Sequence, residues 1–265
     1  MRVREPAVAG YFYPAQAERL RAEVQTCLCG LSQAATAPKA IVAPHAGYVY
    51  SGRVAGHAYA ALGHHCYARV VLLGPCHRVY VDGLALPTVE AFRTPLGLVP
   101  LDTAAMARID GLAQVCRNDD AHALEHSLEV QLPFLQQVLE GFLLVPLAVG
   151  SASPAAVAGV LAALVDDGTL IVVSTDLSHY HGYAEARRLD AYTTTAIEQL
   201  RTAAIGPEQA CGYAPLNGTL EFARAHDWQV TALMTANSGD TAGPRDRVVG
   251  YGAYLMAAPA TSARS

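Results

Sequence analysis

At 265 residues, with 52% hydrophobic and 15% charged side chains, the chain can bury a large core and is too apolar for a disordered region. Its net charge of −5 and singly scattered arginines provide no basic stripe, which excludes nucleic acid and an anionic membrane surface as partners. Length and composition suit one α/β domain over residues 1–258, followed by a flexible tail over 259–265.

The opening stretch, MRVREPAVAGYFYP, lacks the long apolar run of a secretory signal, which points to the cytoplasm. A helix follows over 15–28. Cys27 and Cys29, one residue apart on it, point to different sides and make a poor disulfide or metal pair. All six cysteines read as free thiols rather than a disulfide framework. The apolar run AIVAP at 40–44 predicts a strand, then a helix over 52–62, and RVVLLGP at 69–75 a second strand. EAFRTPLGLVPLD at 90–102, with a Pro-Leu-Gly turn, predicts a hairpin on the sheet, followed by helices over 103–113 and 126–139. Residues 142–165 are uncharged over a length that could span a bilayer, but Pro146, Gly150, Ser151, Ser153 and Pro154 interrupt them. Strand, loop and a helix capped by Ser153 are expected there. LIVVST at 170–175 is a further strand, helices follow over 184–201 and 215–226, and residues 229–240 and 247–257 close the chain as two more strands. Unbroken apolar runs joined by helices predict strands buried on both faces, in a single-domain α/β sandwich around a mostly parallel or mixed sheet.

In such sheets function gathers where the strands end at their carboxyl edge. Three predicted strands each release a histidine there: His45 in APHAGY, His77 in GPCHR, and His179, with Asp176, in STDLSH. If the strands are parallel neighbours, the three imidazoles face one cleft. Two or three imidazoles with one anionic partner make a first-row metal site. Asp176 and Cys211, the latter just ahead of a proline-initiated helix, are the candidates for that partner.

Together REPAVAGYFYP, APHAGYVYSG, LLGPCHR, EHSLEVQLPFL, STDLSHY, CGYAPL, NSGD and VGYGAY, in order over nearly the full chain, resemble the Memo family, also called protein B of the AmmeMemoRadiSam system. The resemblance implies the fold of the class III extradiol dioxygenases and a metal site of His45, His77 and Cys211, with Fe(II) ranked ahead of Cu or Zn. It places His179 where those enzymes keep an acid/base histidine. Asp176 either orients His179 or a water, or caps a turn. The thiolate departs from the carboxylate of the ring-cleaving facial triad; it is softer and more oxidisable and admits Cu(I) or Zn as well as iron.

The EHSLEVQLPFL motif puts His126 at the cleft as a substrate-binding residue, with Phe12 and Tyr50 as candidate walls, while His122 and Glu125 read as surface residues. Tyr13 and Tyr48 either wall the pocket or anchor the core, Tyr180 and His181 read as solvated loop, and Asp240 as part of a turn. The expected function is O₂-linked redox chemistry on an unknown small-molecule or peptide-borne substrate. A non-catalytic module for phosphotyrosine-like or anionic ligands and a metal-assisted hydrolase are the alternatives. The resemblance also implies a radical SAM protein and an AMMECR-type protein as partners.

Overall fold

The four apolar runs form the centre of the sheet. In the computed structural model, which describes residues 1–259, the chain runs β1 (Val3–Arg4), α1 (Ala17–Leu28), β2 (Ala40–Ala43), α2 (Tyr48–Ala60), β3 (Arg69–Pro75), β4 (Leu84–Leu86), β5 (Ala91–Thr94), β6 (Gly97–Pro100), α3 (Thr103–Ile109), β7 (Val115–Arg117) and α4 (Asp120–Ala123). It continues through α5 (Leu132–Val138), β8 (Leu143–Val149), α6 (Pro154–Leu164), β9 (Thr169–Ser174), β10 (His179–His181), α7 (Tyr183–Glu198), α8 (Tyr213–Ala225), β11 (Gln229–Asn237) and β12 (Val248–Ala257). The expected tail over 259–265 lies outside the described residues from 260 onward.

Strands β2, β9, β3 and β8 lie side by side and parallel, and nearly every residue in them is buried, as strands covered on both faces require. Antiparallel strands flank this block: β12 beside β2, and β4 beside β8, so the sheet is mixed. The order is β10-β12-β2-β9-β3-β8-β4-β7, with β11 on β12 as the closing hairpin. Helix α2, backed by α1 and α5, packs on β2, β11 and β12; α7 packs on β11 and β12; α8, backed by α6, packs on β3 and β9. Ser153 does cap α6, its side chain accepting from the Ala156 N–H.

Two expectations need correction. The hairpin over 90–102 forms as β5 and β6, but it joins β1 in a separate three-stranded sheet instead of extending the main one. The helix expected over 126–139 begins only at Leu132, after a single 3-10 turn at Glu129–Gln131. Side chains from Glu125 to Gln131 are committed to hydrogen bonds with distant segments, which fixes this stretch outside a regular helix.

Candidate metal centre

Register brings the strand ends together, with Ala43 opposite Ser174 and Leu73 opposite Val173. His45 therefore leaves β2, and His77 leaves β3, on either side of the end of β9. Their rings meet edge to face with centroids 5.1 Å apart.

Hydrogen bonds at the far side of each ring fix which nitrogen is free. His45 Nδ1 lies 2.9 Å from Ser174 Oγ, whose only proton goes to the Ser127 carbonyl at 2.6 Å. Nδ1 is then the donor, and Nε2 keeps its lone pair for the cleft. His77 Nδ1 lies 2.8 Å from Glu125 Oε1, while Oε2 accepts the His77 backbone N–H at 2.6 Å. Burial alone would raise the Glu125 carboxyl, but the His77 ring and N–H and the Ser127 N–H outweigh it and hold it down to about 2. An ionised carboxylate only accepts, so His77 also donates from Nδ1 and leaves Nε2 free. Such partners orient imidazole ligands in metal sites.

The same segment supplies a third ring. His126 stacks on His77 (centroids 4.7 Å apart) and meets His45 edge to face (5.3 Å), with Phe12 at 4.8 Å. One ring nitrogen from each of His45, His77 and His126 falls within 4.8 Å of the others. Burial pushes His126 down to about 4 and His45 well below its usual range, so both are neutral imidazoles at neutral pH.

Cys211 reaches the group from the loop before α8, with Sγ 3.3 Å from His45 Nε2 and accepting the Asp176 N–H at 3.3 Å. The loop sits hard on the end of β9: a Cβ on Gly212 would come within 2.7 Å of the Ser174 carbonyl oxygen and the Thr175 Cβ. Burial pushes the Cys211 thiol up to about 12, so without a cation it is protonated, and its S–H donates to His45 Nε2. Ligands at about 2.0–2.1 Å (N) and 2.3 Å (S) from one ion lie about 3.1–3.6 Å apart for angles between 90° and tetrahedral. The 3.3 Å separation between His45 and Cys211 fits that range, but the group whose donor atoms all lie within 4.8 Å of one another is His45, His77 and His126, without Cys211.

Asp176 is buried, and Oδ1 accepts the His45 backbone N–H at 2.8 Å; desolvation raises its carboxyl to about 7. His179 does not bond to it. Instead His179 Nδ1 lies 2.8 Å from the Leu177 carbonyl, which makes Nδ1 the donor and Nε2 a free acceptor; burial lowers its pKa. Tyr180 follows with a left-handed φ of 63° and turns the chain away. A cavity of about 800 Å³ opens over the cluster, and His45, His77, His126, Asp176, His179, Cys211, Phe12 and Tyr50 all line it.

The structure moves other residues. His122 and Glu125, expected at the surface, are 2% and 3% exposed, because His122 Nε2 bonds the Ala85 carbonyl and Glu125 braces His77. Glu129, wholly buried, pairs with Arg4, accepts from the Ala7 and Val8 N–H groups and from the Tyr13 hydroxyl, and so pins the segment that carries Phe12. Gln131 donates to the Pro44 carbonyl and to Ser174 Oγ. Tyr13 and Tyr48 belong to the core, and Asp240 closes the turn after β11. The supporting residues Glu125, Ser127, Glu129 and Gln131 occur at every second position. That alternation is a sequence signal against a regular amphipathic helix there.

Fold and site together define an α/β protein with an imidazole- and thiol-lined cleft at the carboxyl edge of parallel strands. Residues 4–255 match the family described as Memo-like protein, and the chain belongs to that family. A MEMO1 family protein of Methanosarcina mazei is 34% identical over 97% of this chain and 100% of its own length. One of Aquifex aeolicus is 36% identical, covering 95% and 98%. Among solved structures, an uncharacterized protein of Escherichia coli K12 aligns with a TM-score of 0.56 at 17% identity, over 82% of this chain and 98% of that one, a likeness of fold. No helix among the described residues is long and apolar enough to cross a membrane.

Proposed function

We propose that this protein holds one transition-metal ion through His45, His77 and Cys211, with Fe(II) ahead of Cu or Zn, and carries out O₂-linked redox chemistry on a substrate bound in the cleft. Two observations support the reading: ring nitrogens of His45 and His77 meet in one cluster with His126, and the Cys211 sulfur lies 3.3 Å from His45 Nε2. When bound, such an ion supplies a Lewis-acidic and redox-active centre.

The protein's own groups supply the proton handling. His179 Nε2, with Nδ1 tied to the Leu177 carbonyl, accepts a proton from a substrate hydroxyl and returns it, as the acid/base of the site. Asp176 holds the His45 backbone in place. His126, Phe12 and Tyr50 border the substrate space. The alternative of a module for anionic ligands finds no lysine or arginine among the described residues lining the cavity.

Anaerobic purification followed by metal analysis tests the ligand set. His45→Ala, His77→Ala and Cys211→Ala should lose the ion, and His126→Ala should keep it. Full retention by Cys211→Ala with loss in His126→Ala would instead assign three imidazoles. Oxygen uptake above that of the metal-free variants, measured with candidate phenols, tests the redox reading. Partnership with a radical SAM protein and an AMMECR-type protein belongs to the same proposal through the family resemblance, and co-purification from cells expressing all three tests it.

A further inference from the structure

The cavity over the cluster is uneven in charge. Its lining among the described residues holds two carboxylates, Asp176 and Glu208, and no lysine or arginine. Arg247 approaches only from outside the lining, its guanidinium stacked 5.0 Å from the centroid of the Tyr180 ring. A divalent ion at the histidines brings two positive charges, and the Cys211 thiolate and Asp176 carboxylate stand against them, so the ion does not make the cleft strongly cationic. Glu208 then sets the sign at the mouth. It is exposed, and it precedes Cys211 by three residues, at most about 10 Å of extended chain, so its carboxylate stands close to the sulfur end of the site. Between these ends the walls are aromatic: Phe12, Tyr50, Tyr180 and Tyr251 all face the cavity. Such walls take a flat ring by offset or edge-to-face contact, and they also favour a cation over an anion beside them.

We infer that the cleft selects aryl-alkylamines: the ring lies between the aromatic walls, its hydroxyl toward His179, and the protonated amine meets Glu208. This deepens the reading of the metal site given above and rests on it for the position of the reacting end. Glu208 is thereby a specificity-determining residue, and the disfavoured ligands are arylcarboxylates and phosphotyrosine.

Calorimetric titration with tyramine, 4-hydroxyphenylacetate and phosphotyrosine compares phenols that differ chiefly in charge and do not chelate metals as catechols do. Each is titrated into zinc-loaded and chelator-treated protein, with metal content measured on the same samples. Tyramine should bind about five-fold or more tightly than 4-hydroxyphenylacetate in both forms, the size expected of one partly solvated charge pair. Glu208→Gln, a substitution at an exposed position, should bring the two phenols to near equality. Equal or tighter binding of 4-hydroxyphenylacetate or phosphotyrosine, a tyramine preference that survives in Glu208→Gln, or no binding of tyramine would each overturn the inference. Failure of the wild type to hold metal would instead sink the metal-site reading, and the chelator-treated titrations would still decide the ligand class.

Discussion

Glu125 spends both carboxylate oxygens on neighbours of the cluster, one on the His77 ring and the other on the His77 backbone. Glu125→Gln should therefore weaken metal affinity by about 10- to 100-fold while leaving the ligands themselves in place, as chelator competition would measure. Asp176 makes a separate prediction through its raised carboxyl. Its folded value of about 7 stands above the ordinary 3.8, so the native state of the metal-free protein binds the proton more tightly than the unfolded chain does. The contribution to stability is present below about pH 3.8 and is lost as pH rises through about 7. Urea titrations at stepped pH should show wild type losing stability relative to Asp176→Asn as pH rises across that window; a constant difference would mean Asp176 titrates normally. His45, His77 and His179 were legible as cleft residues because they stand at strand ends, whereas His126 and Cys211 were placed there only through the family motifs. Glu125 and Glu129 were not legible, since a carboxylate reads as solvated unless its buried partner is known, and Arg4 and His77 are far away in the chain.

The loop carrying Cys211 is held by backbone contact that only glycine allows. Gly212→Ala would drive a Cβ into the Ser174 carbonyl oxygen and Thr175, so the loop must lift and draw Sγ away from His45 Nε2. The variant should fold with an unchanged far-ultraviolet spectrum and bind the ion poorly; normal metal content would show that the loop accommodates the methyl. The segment from Glu125 to Gln131 behaves as a bracket between strands, and it depends on Arg4. Arg4 is 7% exposed and pairs with fully buried Glu129, so Arg4→Ala should cost about 3–5 kcal/mol by leaving a buried charge uncompensated. Chemical denaturation would check the figure. The strands of the parallel block were readable from apolar runs alone, because burial on both faces leaves polar residues only at their ends. The short strands β4, β7 and β10 were not, each being three residues long and held by its neighbours instead of by its own pattern.

Across the molecule, the parallel block, its antiparallel flanks and the helices share one core that runs from Val8 to Met256. A single cooperative thermal transition is expected, and two separated transitions would mean that the β1-β5-β6 sheet melts by itself. The order of strands was not legible in the sequence, because β9 enters between β2 and β3 although it follows both in the chain, and only the register reveals it.

His45 and His77 stand at the ends of β2 and β3, and Cys211 in the loop before α8, so the three lie far apart along the polypeptide. The proposed ion, seated among them, would work as a removable clip, adding about 2.7 kcal/mol when supplied at 100 times its dissociation constant, or several degrees in Tm for a chain of this size. Melting the protein with and without chelator would thus gauge how much of any preparation is loaded, before a single substrate has been found.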